Sequence, residues 1–253
     1  MDTVRINKYI AEQGYCSRRE ADRLIEAGKV FINDKKAELG DRVAHGDSVR
    51  VEGRDKKTEP PKVYILLNKP VGLIVTTDTT KKDNVINYID YPERIFPVGR
   101  LDVKSEGLLL LTNDGTLANR IMHPRYEHDK EYVIEVDRPM PRSDINKLQH
   151  GIELEDGVTA PAQVRQMEPT KFAIILKEGR NRQIRRMVEA LDYEVVKLKR
   201  TRILTLKLVG SFPAGKWRQL TEKEVRDLKK MVGMDVPKVK TRPKKKRNIR
   251  RRK

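Results

Sequence analysis

One cysteine, Cys16, stands in the 253 residues of this chain, so no intramolecular disulfide framework and no CxxC site is available, and nothing points to secretion. Apolar runs are short. The longest, 63–67 and 172–176, are five residues each, against the roughly 20 that a membrane span needs. Arg5, Lys8, Arg18 and Arg19 interrupt the N-terminus, which leaves no signal-peptide core. The four histidines (His45, His123, His128, His150) lack metal-binding spacing, and no metal site is expected. There is no Gly-x-Ser-x-Gly elbow to support a serine hydrolase. A phosphate-loop spacing occurs at Gly210-SFPA-Gly215-Lys216, but Trp217 replaces the magnesium-binding hydroxyl and Pro213 deletes an amide. A hairpin turn is the expectation there.

What the chain has in excess is positive charge. Lys plus Arg number 55 against 37 Asp plus Glu, a net +18. Residues 237–253 hold six Lys, five Arg and no acid, so +11 lies in that segment and only +7 in the other 236 residues. A cytoplasmic protein with a polyanionic partner is expected, and no membrane association.

Residues 1–53 read as a small module. Ile6, Tyr9 and Ile10 share a helix face before Gly14, and Ser17 with Glu20 forms a capping box for a second helix that Gly28 ends. Two short strands follow, near 30–33 and 48–51. Arg18, Arg19, Arg23 and Lys29 crowd the second helix and its exit, a local basic patch on a module whose net charge is zero. Residues 54–62 (RDKKTEPPK) read as a linker. From 63 to 236, strand-like runs at 63–67, 71–76, 108–112, 132–136, 172–176, 194–198 and 203–208 alternate irregularly with helical segments near 116–122, 143–150, 182–191 and 222–232. Ser143 and Thr221 are the expected N-caps of two of them, the latter boxed with Glu224. This pattern indicates an α+β domain rather than a βαβ repeat. The segment 237–253 has too little apolar content to fold.

On the 182–191 helix, Ile184, Met187, Val188 and Leu191 cluster on one side, and Arg182, Arg185 and Arg186 fall opposite at i, i+3, i+4. Following Gly179-Arg180-Asn181, this reads either as an anion site or as a solvated face balanced by Glu178 and Glu189. Lys197, Lys199, Arg200 and Arg202 add a second basic stretch. A third cluster, Phe96-Pro97-Val98-Gly99-Arg100-Leu101-Asp102, leads through Gly107 into Leu108–Thr112. Read on its own, Asp102 is one of 37 acidic residues at a turn.

At these residues the chain resembles the RsuA/RluB/RluE/RluF family of ribosomal RNA pseudouridine synthases, across residues 1 to about 232. GRLD (Gly99–Asp102) followed by SEGLLLLTNDG is similar to the catalytic-aspartate motif. NKPVG (Asn68–Gly72), KEY (Lys130–Tyr132) and GRNRQIRRM (Gly179–Met187) are similar to the lysine-proline, tyrosine and arginine motifs, in that order. RINKYIAEQGYCSRREADRLIEAGKVFIN resembles an S4 RNA-binding domain. RTRI (Arg200–Ile203) and PAGKWRQLT are most similar to the RluF branch, with the RluB type next, which implies uridine in 23S rRNA as the target.

The resemblance implies an S4-like (αL) domain plus a catalytic domain on a mixed, mainly antiparallel sheet with flanking helices. It implies Asp102 as nucleophile, Arg185 as its partner, and Tyr132 stacking on the flipped base and assisting proton removal. Arg100, Leu101 and Leu198 would wall the pocket. Arg18, Arg19, Arg23, Lys29, Lys69, Arg180, Arg182, Arg186, Lys199, Arg200 and Arg202 would contact RNA. A monomer without cofactor or metal is expected, because a net isomerisation needs neither. A carboxylate is ionised at neutral pH and a guanidinium favours that form. The alternatives are a non-catalytic ribosome-assembly factor and a synthase acting on 16S rRNA.

Overall fold

The computed structural model describes residues 3–54 and 60–234. The middle of the expected linker, 55–59, and the basic segment 237–253 lie outside the described residues.

The N-terminal part runs β1 (Val4–Arg5), α1 (Ile6–Glu12), α2 (Arg18–Glu26), β2 (Val30–Ile32), β3 (Lys35–Lys36), β4 (Arg42–Val43) and β5 (Val49–Val51). Ser17 caps α2 by accepting from the Glu20 amide, as expected. The Glu20 carboxylate does not close the box, because it pairs with Arg23 and Arg54. Ile6, Ile10, Ala21, Ile25, Val30 and Val51 join in one buried cluster, so these elements carry a core of their own.

The rest comprises β6 (Tyr64–Lys69), α3 (Val85–Ile89), β7 (Phe96–Val98), β8 (Glu106–Thr112), α4 (Gly115–Met122), β9 (Lys130–Val136), α5 (Arg142–His150), β10 (Gln163–Glu168), β11 (Lys171–Leu176), α6 (Gln183–Glu189), β12 (Val195–Ile203), β13 (Leu206–Lys207), β14 (Trp217–Gln219) and α7 (Glu222–Met231). Its strands form one sheet in the order β10-β11-β9-β12-β8-β6-β14, with β13 beside β12 and β7 beside β8. Every pairing is antiparallel except β12 with β8. The expected α+β class, with a mixed and mainly antiparallel sheet, is the one observed. Buried Leu108 and Leu110 of β8 face one apolar cluster and Leu109 and Leu111 face another, the period-2 alternation of a central strand covered on both sides.

Several local expectations are corrected. Residues 71–76 form no strand and contribute only an isolated bridge, Ile74 to Asn84, because Pro70 and Gly72 turn the chain off the end of β6. The run at 194–198 opens a longer strand, β12, that continues through the basic residues to Ile203, and of 203–208 only the two-residue β13 forms a further strand. Pro141, not Ser143, caps α5, with its carbonyl accepting from Asp144 and Ile145. Thr221 and Glu224 do form a full capping box. The phosphate-loop look-alike is not a hairpin, since β13 pairs with β12 and β14 with β6. It is a crossing loop, fastened by Asn68 Nδ2 donating to Phe212 O at 2.7 Å and Gly215 N donating to Asn68 O at 2.7 Å.

Candidate active site

Residues 99–105 form the loop between β7 and β8, and this loop carries Asp102. It turns tightly, with the Ser105 amide donating to Asp102 O at 3.0 Å. Buried cations grip it from three elements. Lys69, at the end of β6, has no exposed surface, and its ammonium donates to the carbonyls of Ser105 (2.8 Å), Pro70 (2.9 Å) and Val103 (3.4 Å). Arg185 on α6 donates to Lys104 O at 3.2 Å and to Ser105 Oγ at 3.4 Å. Arg200 on β12 donates to Arg100 O at 3.3 Å and to Leu108 O at 2.7 Å. The carbonyls on either side of Asp102 are therefore held by side chains from β6, α6 and β12, which fixes where the carboxylate points.

Gly107 permits this arrangement. It sits at φ 111°, and a Cβ there would lie 2.3 Å from Arg200 O. Only glycine lets β8 and β12 approach closely enough to bring Arg200 beneath the loop.

The Asp102 side chain is 34 % exposed and that of Arg185 8 %; Arg185 Nε stands 3.8 Å from Asp102 Oδ2 and makes no hydrogen bond. Both face a cavity of about 290 Å³, Asp102 as the more exposed of the two. Arg100, Leu101, Tyr132, Arg185 and Leu198 line the same cavity, so the six expected catalytic and pocket residues converge there from four segments. Tyr132, half-buried on β9, is the register partner of Arg200 on β12. Burial pushes the Lys69 ammonium down to about 8, against the attraction of Asp102. Burial also lowers Lys130, helped by the like charge of Arg200.

The basic residues expected to contact RNA divide into groups. Arg18, Arg19, Arg23 and Lys29 are exposed, as a contact surface requires. Lys69 and Arg200 are not surface residues; both are buried, and backbone carbonyls are their partners. The helix face of three arginines is also corrected. Arg182 caps α6 in a left-handed conformation and lies 3.6 Å from Glu189, while Arg185 is buried. Arg186 is bidentate to Asp156 at 2.8 and 3.0 Å. Arg180 is occupied by Glu178 and the carbonyls of residues 156–158. Lys199 reaches Glu106 at 3.5 Å, and Arg202 reaches Glu131 at 2.9 Å. The loop clamp of Lys69 and the buried Ser105 were missed. The motif residues NKP and SEG marked both, without indicating what they touch.

A family model for RNA pseudouridylate synthase matches residues 63–190, and one for the S4 domain matches residues 4–49. The dual-specificity RNA pseudouridine synthase RluF of Escherichia coli K12 is 46 % identical over 96 % of this chain and 85 % of its own length. The chain belongs to the RNA pseudouridylate synthase family. Ribosomal large subunit pseudouridine synthase B of Bacillus subtilis is 44 % identical to this synthase over 90 % of the chain and 96 % of its own. A solved structure described as a pseudouridylate synthase superposes with a TM-score of 0.67 at 31 % identity, covering 89 % of this synthase and 99 % of that chain. The protein is thus an enzyme whose family converts uridine to pseudouridine in RNA. Among the described residues, no helix is long and apolar enough to cross a membrane.

Proposed function

We propose that this synthase isomerises a uridine of ribosomal RNA, in the large-subunit 23S molecule, with Asp102 as nucleophile. The observation that carries this is the partly exposed Asp102 carboxylate beside Arg185, on a loop held by buried cations and facing a cavity large enough for a flipped base. Isomerisation breaks the C1′–N1 bond, forms C1′–C5, removes the proton from C5 and returns one to N1. Whether Asp102 attacks C1′ or the base departs first, the carboxylate at the cavity wall starts the reaction. Tyr132 stacks on the base and assists loss of the C5 proton, and Arg185 keeps the carboxylate oriented. Leu101 and Leu198 supply apolar walls, and Arg100 lies beside the nucleophile. Flipping the base costs a few kcal/mol, which stacking and phosphate contacts offset.

Phosphate contacts fall in this reading to the exposed Arg18, Arg19, Arg23 and Lys29 and to Arg182. Arg180, Arg186, Lys199 and Arg202 keep a second role, since each is half-buried as well as paired within the protein. The enzyme works as a monomer in the cytoplasm without a cofactor. An assembly factor that only binds RNA would leave the Asp102–Arg185 pair without a task.

The test uses unmodified rRNA tritiated at uridine C5. The wild type releases tritium and Asp102→Ala does not. No release by the wild type sinks the reading, and equal release by the variant sinks the nucleophile. Mapping the product distinguishes 23S from 16S rRNA.

A further inference from the structure

The cavity has a second lining that the isomerisation does not use. Between α4 and β9, the Tyr126 ring stacks on His128, with centroids 5.8 Å apart and planes 12° from parallel. The Arg125 guanidinium lies 4.5 Å from the centre of the same ring and donates to its hydroxyl. His123 meets Tyr126 edge-on at 6.1 Å. Both His123 and His128 line the cavity that holds Asp102. Lys130 Nζ donates to His128 O at 3.0 Å, which ties this segment to the strand bearing Tyr132.

Two features distinguish this cluster from ordinary packing. His128 Nε2 is enclosed, so the imidazole offers the cavity its ring and not a free polar edge. Burial also holds the imidazole below its ordinary value, so a neutral ring lines the cavity at pH 7. Guanidinium, phenol and imidazole planes gathered beside a nucleotide pocket match the way unpaired bases are held, by stacking and by edge hydrogen bonds.

We propose that the Arg125–Tyr126–His128 stack is a subsite for the base of a nucleotide next to the target uridine, with His128 as the plane on which that base lies. The subsite rests on RNA being the substrate. It accounts for how the enzyme selects a sequence context and not merely a uridine.

The experiment uses an rRNA stem-loop on which the wild type turns over; absence of turnover there would count against the proposed rRNA target and not against the subsite. His128→Ala and Tyr126→Leu should each raise KM about tenfold with kcat within about twofold, the size of one lost base stack. His128→Phe should recover most of the loss, which a fold defect would not allow. Removing the base of one flanking nucleotide should raise the wild-type KM similarly and abolish the difference between wild type and His128→Ala. An equal loss on intact and abasic RNA overturns the proposal. In the wild type alone, 2-aminopurine at that flanking position should be quenched on binding. Unquenched fluorescence at both flanking positions also overturns it.

Discussion

Replacing Lys69 with methionine keeps the length of the side chain and removes the charge beneath the loop that carries Asp102. Two terms oppose each other. The Ser105 and Pro70 carbonyls lose the ammonium, whereas Val103 O keeps the Gly72 amide at 2.9 Å. Two buried carbonyls without that donor cost about 2–6 kcal/mol. Against this, the displacement of Lys69 from 10.5 to about 8 means that the buried charge is disfavoured by about 3 kcal/mol at neutral pH. The net change in stability at pH 7 is therefore modest, a loss of up to about 3 kcal/mol. Activity should fall much further, on the order of a hundredfold, because the carbonyls that hold Asp102 lose their anchor.

The pH dependence separates the two effects. Burial is the main cause of the depressed value, Asp102 and Glu106 oppose it and Arg200 adds to it. Between about 8 and 10.5 the native state binds fewer protons at Lys69 than the unfolded chain does. The stability of the wild type relative to Lys69→Met should thus rise with pH across that window, by up to about 3 kcal/mol. Activity of the wild type should decline over the same window. A neutral amine has two N–H donors for three carbonyls and no charge facing Asp102. Tritium release measured from pH 6.5 to 10, with urea unfolding of both proteins at each pH, tests this. The reasoning is refuted if wild-type activity is flat to pH 10, if the variant keeps the same alkaline decline, or if the stability difference does not change.

Gly107→Ala should destabilise the protein by at least about 3 kcal/mol, since the positive φ and the 2.3 Å approach to Arg200 O cannot both be accommodated. Its melting temperature should fall and its residual activity should be low even where it remains folded. Glu224→Gln should cost about 1–2 kcal/mol at pH 7. Bidentate pairing with Arg218, aided by Thr221, holds this carboxyl down to about 2, and partial exposure screens the pair. That contribution is present above about 4.5 and is lost as pH falls toward 2, so the melting difference between variant and wild type should shrink at pH 3. Deleting residues 237–253 should flatten the salt dependence of RNA binding, by about 0.7 in slope for each phosphate no longer neutralised. Turnover at saturating RNA should stay close to that of the full chain.

Which parts of the structure were legible follows from where the partners of each residue lie. The helices α4, α5 and α7 and the strands β8, β9 and β11 carry their own periodicity, and their bounds fell within two residues of expectation. The strands β3, β7 and β14 are two or three residues long and exist because a neighbour pairs with them, which no local pattern records. Asp102 carried no local signal beyond a turn and emerged only through the motif resemblance.

The misplaced cations show the same limit more sharply. A lysine or arginine in isolation reads as surface, because burying its charge without a partner is costly. Lys69 and Arg200 are buried nonetheless, and what satisfies them is backbone. Lys69 bonds a carbonyl 36 residues away, and Arg200 bonds carbonyls 92 and 100 residues away. Arg185 looked like a member of a basic helix face until the loop from 99 to 105 packed against α6 and made that position interior. Charge counting thus misassigned the very residues that hold the loop of Asp102. A carboxylate partner would have tied each cation to one acid and left the loop free. Carbonyl partners fasten the main chain on both sides of Asp102 and leave the positive charge unneutralised toward it, so one set of contacts positions this carboxylate and sets its field.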